Sequence, residues 1–137
     1  MRLKSLDKRI KYRITRSKDN VFVPEDFSDL SGRDQVGRAV RYLIKQGDLV
    51  KIGYGVYAKS RYSKIFNKVQ PVKPLQELAR EALEKLGVET APTYYEVQYN
   101  KGNSTQVPTG RVIGVKSRVT RKISFDGFEV SYERVPG

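Results

Sequence analysis

Between Ser31 and Ala58 the chain carries a close succession of start and stop signals, and together they leave room for one local arrangement. Val36, Val40, Leu43 and Ile44, with Ala39 between them, recur at helical spacing. Ser31 supplies an N-cap side chain just before Gly32. Gly47 stands after the last apolar position, where a left-handed residue closes a helix. A helix over 32–46 follows. Behind it, Leu49-Val50-Lys51-Ile52 and Val56-Tyr57-Ala58 are β-prone runs on either side of Gly53-Tyr54-Gly55, which predicts a hairpin with a glycine-flanked tip.

Upstream, Leu3, Leu6, Ile10 and Ile14 make one apolar stripe and predict a helix over 3–16. Ser17-Lys18-Asp19-Asn20 breaks that pattern, and Val21-Phe22-Val23 is a brief strand stopped by Pro24. Proline suits a first helical turn, and Glu25, Asp26 and Asp29 place negative charge where a helix start favours it. A short helix of about two turns is expected there, with Phe27 and Leu30 turned inward. Helix, brief strand, short helix, helix and hairpin, in that order, predict a winged helix-turn-helix over 1–59.

Residues 60–73 are polar and basic, with Pro71 inside and Pro74 just beyond, and read as a linker that packs partly through Ile65 and Phe66. A fourth helix is expected over 74–86, with Leu75, Leu78, Ala79, Ala82, Leu83 and Leu86 on one face and Gly87 as terminator. Residues 93–98 fit a helix or a strand equally. Arg111 to Val115 reads as a strand. Asp126-Gly127 lies between two alternating runs, 121–125 and 128–133, and is a strong hairpin signal because its turn needs positive φ at both central residues. Ile123, Phe125, Phe128, Val130 and Tyr132 are the expected inner face. The overall expectation is α+β: the winged helix, then a small C-terminal domain over 74–137 made of a helix and a small antiparallel β-sheet.

Charge narrows the function. The chain has 137 residues with 27 Lys and Arg against 15 Asp and Glu, for a net +12. Residues 1–70 hold 17 of those cations and 7 of the acids, so the first half is the candidate for a polyanionic partner, nucleic acid first. There is no His and no Cys, which removes Ser–His and Cys–His catalysis, zinc and iron–sulfur sites and disulfides. Glu77, Glu81 and Glu84 read as a solvated helix face rather than a metal site. No catalytic residue, metal or cofactor is expected. The apolar runs fall far short of the roughly 20 residues needed to span a bilayer, and no signal peptide is visible, so a cytoplasmic protein without membrane attachment is expected.

The candidate site follows from helix-turn-helix geometry, in which the second helix lies in the major groove. Arg33 and Gln35 open the helix over 32–46 and are expected at base edges, Arg toward guanine and Gln toward adenine. Arg38, Arg41, Tyr42 and Lys45 are placed for phosphates. Lys51, Tyr54 and Lys59 on the hairpin, and Arg13, Arg16 and Lys18 in the N-terminal segment, are the flanking contacts.

Three stretches carry a resemblance: Asn20 to Phe27, Val36 to Leu43, and Gly47 to Tyr57. They are similar to the N-terminal winged helix of the AbiEi-like antitoxins of bacterial abortive-infection (type IV) toxin–antitoxin systems. The stretch Ser104 to Pro108, followed by 118–134, resembles the tail of a short group of related proteins. The resemblance implies a repressor of its own operon that binds double-stranded DNA and counters a nucleotidyltransferase-like toxin. The alternative is a protein–protein module that neutralises a toxin through its C-terminal part without reading DNA.

Overall fold

The computed structural model describes residues 5–108 and 110–136, a mixed α+β chain that divides into two compact units, Met1–Lys73 and Pro74–Gly137. In the first unit, helix α1 (Leu6–Arg16) turns Ile10 and Ile14 inward. The expected start at Leu3 lies outside the described residues. Strand β1 (Val21–Phe22) follows, then a 3₁₀ turn (Pro24–Phe27) and helix α2 (Arg33–Lys45).

The short helix predicted after Pro24 stops within one turn, and its hydrogen bonds show why. Continuing as an α-helix would require the Asp26 carbonyl to accept from Leu30. Instead the Leu30 N–H bonds to Phe27 O at 3.0 Å, and the Arg13 guanidinium occupies Asp26 O at 2.8 Å. The Asp26 carboxylate in turn accepts from the Val23 N–H at 2.9 Å, which fixes the entry to the turn.

Helix α2 ends as its glycine predicts. Gly47 has φ 85°, its N–H reaches Ile44 O at 3.0 Å, and the Asp48 N–H reaches Leu43 O at 2.9 Å. These two bonds satisfy carbonyls the helix leaves open. Any side chain at Gly47 would also sit 3.1 Å from the Val69 side chain.

The chain then forms β2 (Leu49–Gly53), β3 (Val56–Ser63) and β4 (Lys68–Pro71). All pairings in this four-stranded sheet are antiparallel: β3 pairs with β2, β1 and β4. Residues 60–73 are therefore not a linker. They carry the second half of β3 and all of β4, joined by a turn in which the Ser63 hydroxyl accepts from Phe66 N–H, the Tyr62 hydroxyl bonds the Asn67 side chain and Asn67 takes φ 52°. Ile65 and Phe66, expected to pack, are strongly exposed at its tip. The core of the unit gathers Ile10, Ile14, Phe22, Phe27, Val36, Val40, Leu43 and Leu49, and the rings of Phe22 and Phe27 stack at 6.1 Å.

In the second unit, α3 (Leu75–Lys85) buries Leu78, Ala79, Ala82 and Leu83 and closes at Gly87 with the same pair of bonds as α2. Strand β5 (Thr90–Ala91) leads to α4 (Tyr94–Asn100), which resolves the ambiguity over 93–98 as a helix. The Thr93 hydroxyl accepts from Glu96 N–H at 3.2 Å and the Glu96 carboxylate accepts from Thr93 N–H at 3.3 Å, a reciprocal cap that decides for the helix.

Strand β6 (Val112–Val115) lies between β5 and β9 (Ser131–Arg134). It pairs antiparallel with β5 but parallel with β9, so the C-terminal sheet is not purely antiparallel as expected. The Asp126-Gly127 turn forms with φ 51° and 85°, yet its hairpin, β7 (Ser124–Phe125) with β8 (Phe128–Glu129), is only two residues a side. Ile123 and Val130 are buried below it as predicted, whereas Phe128 faces outward under the Arg111 guanidinium. Gly114 lets β5 approach, because any Cβ there would overlap the Ala91 carbonyl.

Candidate nucleic-acid interface

Helix α2 packs Val36, Ala39, Val40 and Leu43 into the core, so its opposite face is set by the same periodicity. At about 100° per residue, Asp34, Arg38, Arg41 and Lys45 share an arc of about 60° directly opposite the buried stripe. All four are exposed. Arg38, Arg41 and Lys45 form the cationic crest, and Tyr42, 50% exposed, stands beside it. Gly37 keeps the next turn low, and the Arg41 guanidinium lies over it, 3.5 Å from where a Cβ would be.

The first turn is arranged differently from expectation. Arg33 and Gln35 are both exposed but project about 160° apart around the axis. They flank the crest on opposite sides, and the Ser31 hydroxyl makes a long 3.5 Å contact with the Gln35 side-chain oxygen.

The β2–β3 hairpin presents Tyr54 at its tip, 80% exposed, with Gly55 at φ 66° making the turn. Lys51 is exposed on β2 and lies opposite Tyr57 across the strands. Burial pushes the Tyr57 hydroxyl above its ordinary pKa, and the Arg41 charge opposes that rise. Helix α2 and strand β2 of the hairpin are in contact within the first unit.

Two candidates are tied into the fold by bonds of their own. The Arg13 guanidinium grips both Asp29 oxygens, at 2.6 and 2.8 Å, besides Asp26 O. That pairing raises the Arg13 pKa and holds the Asp29 carboxyl down at about 2. The Lys59 ammonium donates to Ser17 O at 2.6 Å and ties β3 to the end of α1. Arg16 and Lys18 remain exposed, and the Arg16 guanidinium lies 5.3 Å above the Tyr12 ring. Arg9, Tyr12, Arg13, Arg16, Ser17 and Leu30 line a shallow groove of about 460 Å³ there. Tyr12 is the member that sequence reading missed, although its spacing of four from Arg16 on one helix was a usable signal.

No group of three or more acidic side chains able to hold a metal occurs among the described residues, and none of the described helices is long and apolar enough to cross a membrane. A family described as "Family of unknown function (DUF6088)" matches residues 7–134, nearly the whole chain, so the protein belongs to it. No curated protein and no solved structure matches the chain.

Proposed function

We propose that this member of the DUF6088 family is a non-enzymatic, cytoplasmic DNA-binding repressor whose first unit works as a winged helix-turn-helix. The crest of α2 enters the major groove of double-stranded DNA, and the β2–β3 hairpin is the wing, with Lys51 and Tyr54 against the flanking backbone. Arg38, nearest the helix start among the crest cations, has the best access to base edges. Arg33 and Gln35 each serve one wall of the groove. Arg16 and Lys18 add phosphate contacts, while Arg13 and Lys59 hold the platform rigid.

The observation that carries this reading is the cationic crest on a helix whose other face is wholly committed to the core. The likeness over residues 20–57 to AbiEi-like antitoxins supports a further step, autoregulation of a toxin–antitoxin operon with a nucleotidyltransferase-like toxin as protein partner.

The test is duplex binding measured by fluorescence anisotropy against the DNA upstream of the coding sequence, over a series of salt concentrations. About six neutralised phosphates give a slope of log affinity on log salt near −5, and Lys51→Ala flattens that slope by about one. A slope near zero, or no difference between upstream and random duplex, defeats the proposal.

A further inference from the structure

The second unit holds a cavity of about 320 Å³, in the size range of small-ligand sites. We propose that it receives a guanidinium or ammonium group carried on a short apolar stem, held between the Glu133 carboxylate and the Tyr95 ring. This inference is independent of the DNA reading.

Val107, Pro108 and Val112 contribute apolar lining, and the acidic residues among the lining are Glu96 and Glu133. Glu96 is already compensated: Arg80 reaches both of its oxygens, at 3.0 and 3.1 Å, and the Thr93 N–H reaches one. Glu133 is not. One of its oxygens accepts from the Tyr94 N–H at 2.8 Å, and the other takes no hydrogen bond among the described residues. No lysine or arginine is among the described residues lining the cavity. A single uncompensated carboxylate in a recess with apolar walls attracts a cation and rejects an anion. A neutral apolar occupant would strip water from the charge without pairing it.

Tyr95 also lines the cavity and is 66% exposed, so its ring is available to the same cation. Helix α4 buries no residue, yet the Thr93 cap, the Arg80–Glu96 pair and the Glu133 bond to Tyr94 fix its position. The site is therefore held in place without a ligand. The cation has two sources, a free small molecule or an arginine or lysine side chain of a protein partner.

The experiment titrates the full chain with n-butylguanidinium and with its neutral analogue n-butylurea, following backbone amide shifts of Tyr95, Val112 and Glu133. We expect saturable binding of the cation with a Kd of about 1 mM and at least roughly tenfold weaker binding of the urea. Glu133→Gln keeps an acceptor for the Tyr94 N–H but removes the charge, and is expected to weaken cation binding about tenfold. Tyr95→Leu, which leaves Glu133 in place, is expected to weaken it about threefold. A Gly-Arg-Gly peptide forms the second arm: tighter binding than n-butylguanidinium assigns the site to a protein side chain, and weaker binding assigns it to a free cation. Absence of saturation, equal binding of the urea, or indifference to both substitutions overturns the proposal.

Discussion

The two units handle charge in opposite ways. Met1–Lys73 carries 18 Lys and Arg against 7 Asp and Glu, while Pro74–Gly137 carries 9 against 8. In the second unit cations are matched locally, as in Arg80–Glu96 at 3.0 Å, Lys116–Glu89 at 3.2 Å and Lys122–Glu129 at 3.9 Å. In the first, acids are spent where they anchor α1, in Arg13–Asp29 at 2.6 Å and Lys11–Asp48 at 3.4 Å. No ion pair to Arg38, Arg41 or Lys45 occurs among the described residues. A positive charge that braces the fold is paired. Three further cations, Arg38, Arg41 and Lys45, share one exposed face of α2, where they repel one another.

The largest expected effects test whether the units divide their labour. Phe27 is fully buried at the centre of the first unit's core, and Phe27→Ala should cost about 3–5 kcal/mol. Gly114→Ala drives a Cβ into the Ala91 carbonyl, so β5 must leave β6 at a cost of about 3 kcal/mol. Urea unfolding followed by amide signals from each unit reads both. Phe27→Ala should abolish duplex binding and Gly114→Ala should leave it intact. If Gly114→Ala abolishes binding as completely as Phe27→Ala does, the comparison fails.

A smaller effect sharpens it. Arg38→Ala with Arg41→Ala removes two crest cations and should weaken duplex binding at least about a hundredfold, near 2.7 kcal/mol. The unfolding midpoint should barely change, because neither side chain is buried. The matched control is Lys101→Ala with Arg118→Ala, two exposed cations of the second unit, with less than about a threefold effect expected. Equal losses in the two pairs would mean that net charge, not the crest, carries affinity.

The parts of this molecule that were legible in the sequence share a property: each is specified by residues close together in the chain. The apolar stripe and Gly47 bound α2 to within a residue of expectation, and Asp126-Gly127 takes the positive φ angles its turn requires. What was not legible depends on distant partners. The helix after Pro24 stops after one turn, where Arg13, thirteen residues away, takes the Asp26 carbonyl. Strand β4 lacks an alternating apolar pattern and forms by pairing with β3. The alternation over 128–133 fits one long hairpin, but β9 leaves it to lie parallel to β6, a choice no local signal encodes. On α2, Arg33 and Gln35 were grouped by sequence position, whereas a separation of two residues puts them on opposite flanks of the helix.

The smallest effect concerns the ion pair that separates bracing charge from crest charge. Asp29 has its pKa lowered from the usual carboxylate value to about 2, chiefly because Arg13 donates two hydrogen bonds to it. A carboxyl whose pKa is lower folded than unfolded stabilises the fold above its unfolded value, near 3.8, and loses that contribution as pH falls through about 2. The contribution is therefore intact at neutral pH and disappears only between about pH 4 and pH 2. Because Asp29 is solvent-exposed, its loss should loosen the junction of α1 with the 3₁₀ turn without melting the core. A carboxyl-carbon NMR titration should give Asp29 a midpoint near 2, and Arg13→Met should return it to the ordinary range. Duplex binding at pH 7 should weaken in Arg13→Met far less than in the crest variants if, as proposed, Arg13 braces the platform rather than contacting DNA. An unchanged Asp29 midpoint in Arg13→Met would dissolve the distinction and put Arg13 back among the cations available to DNA.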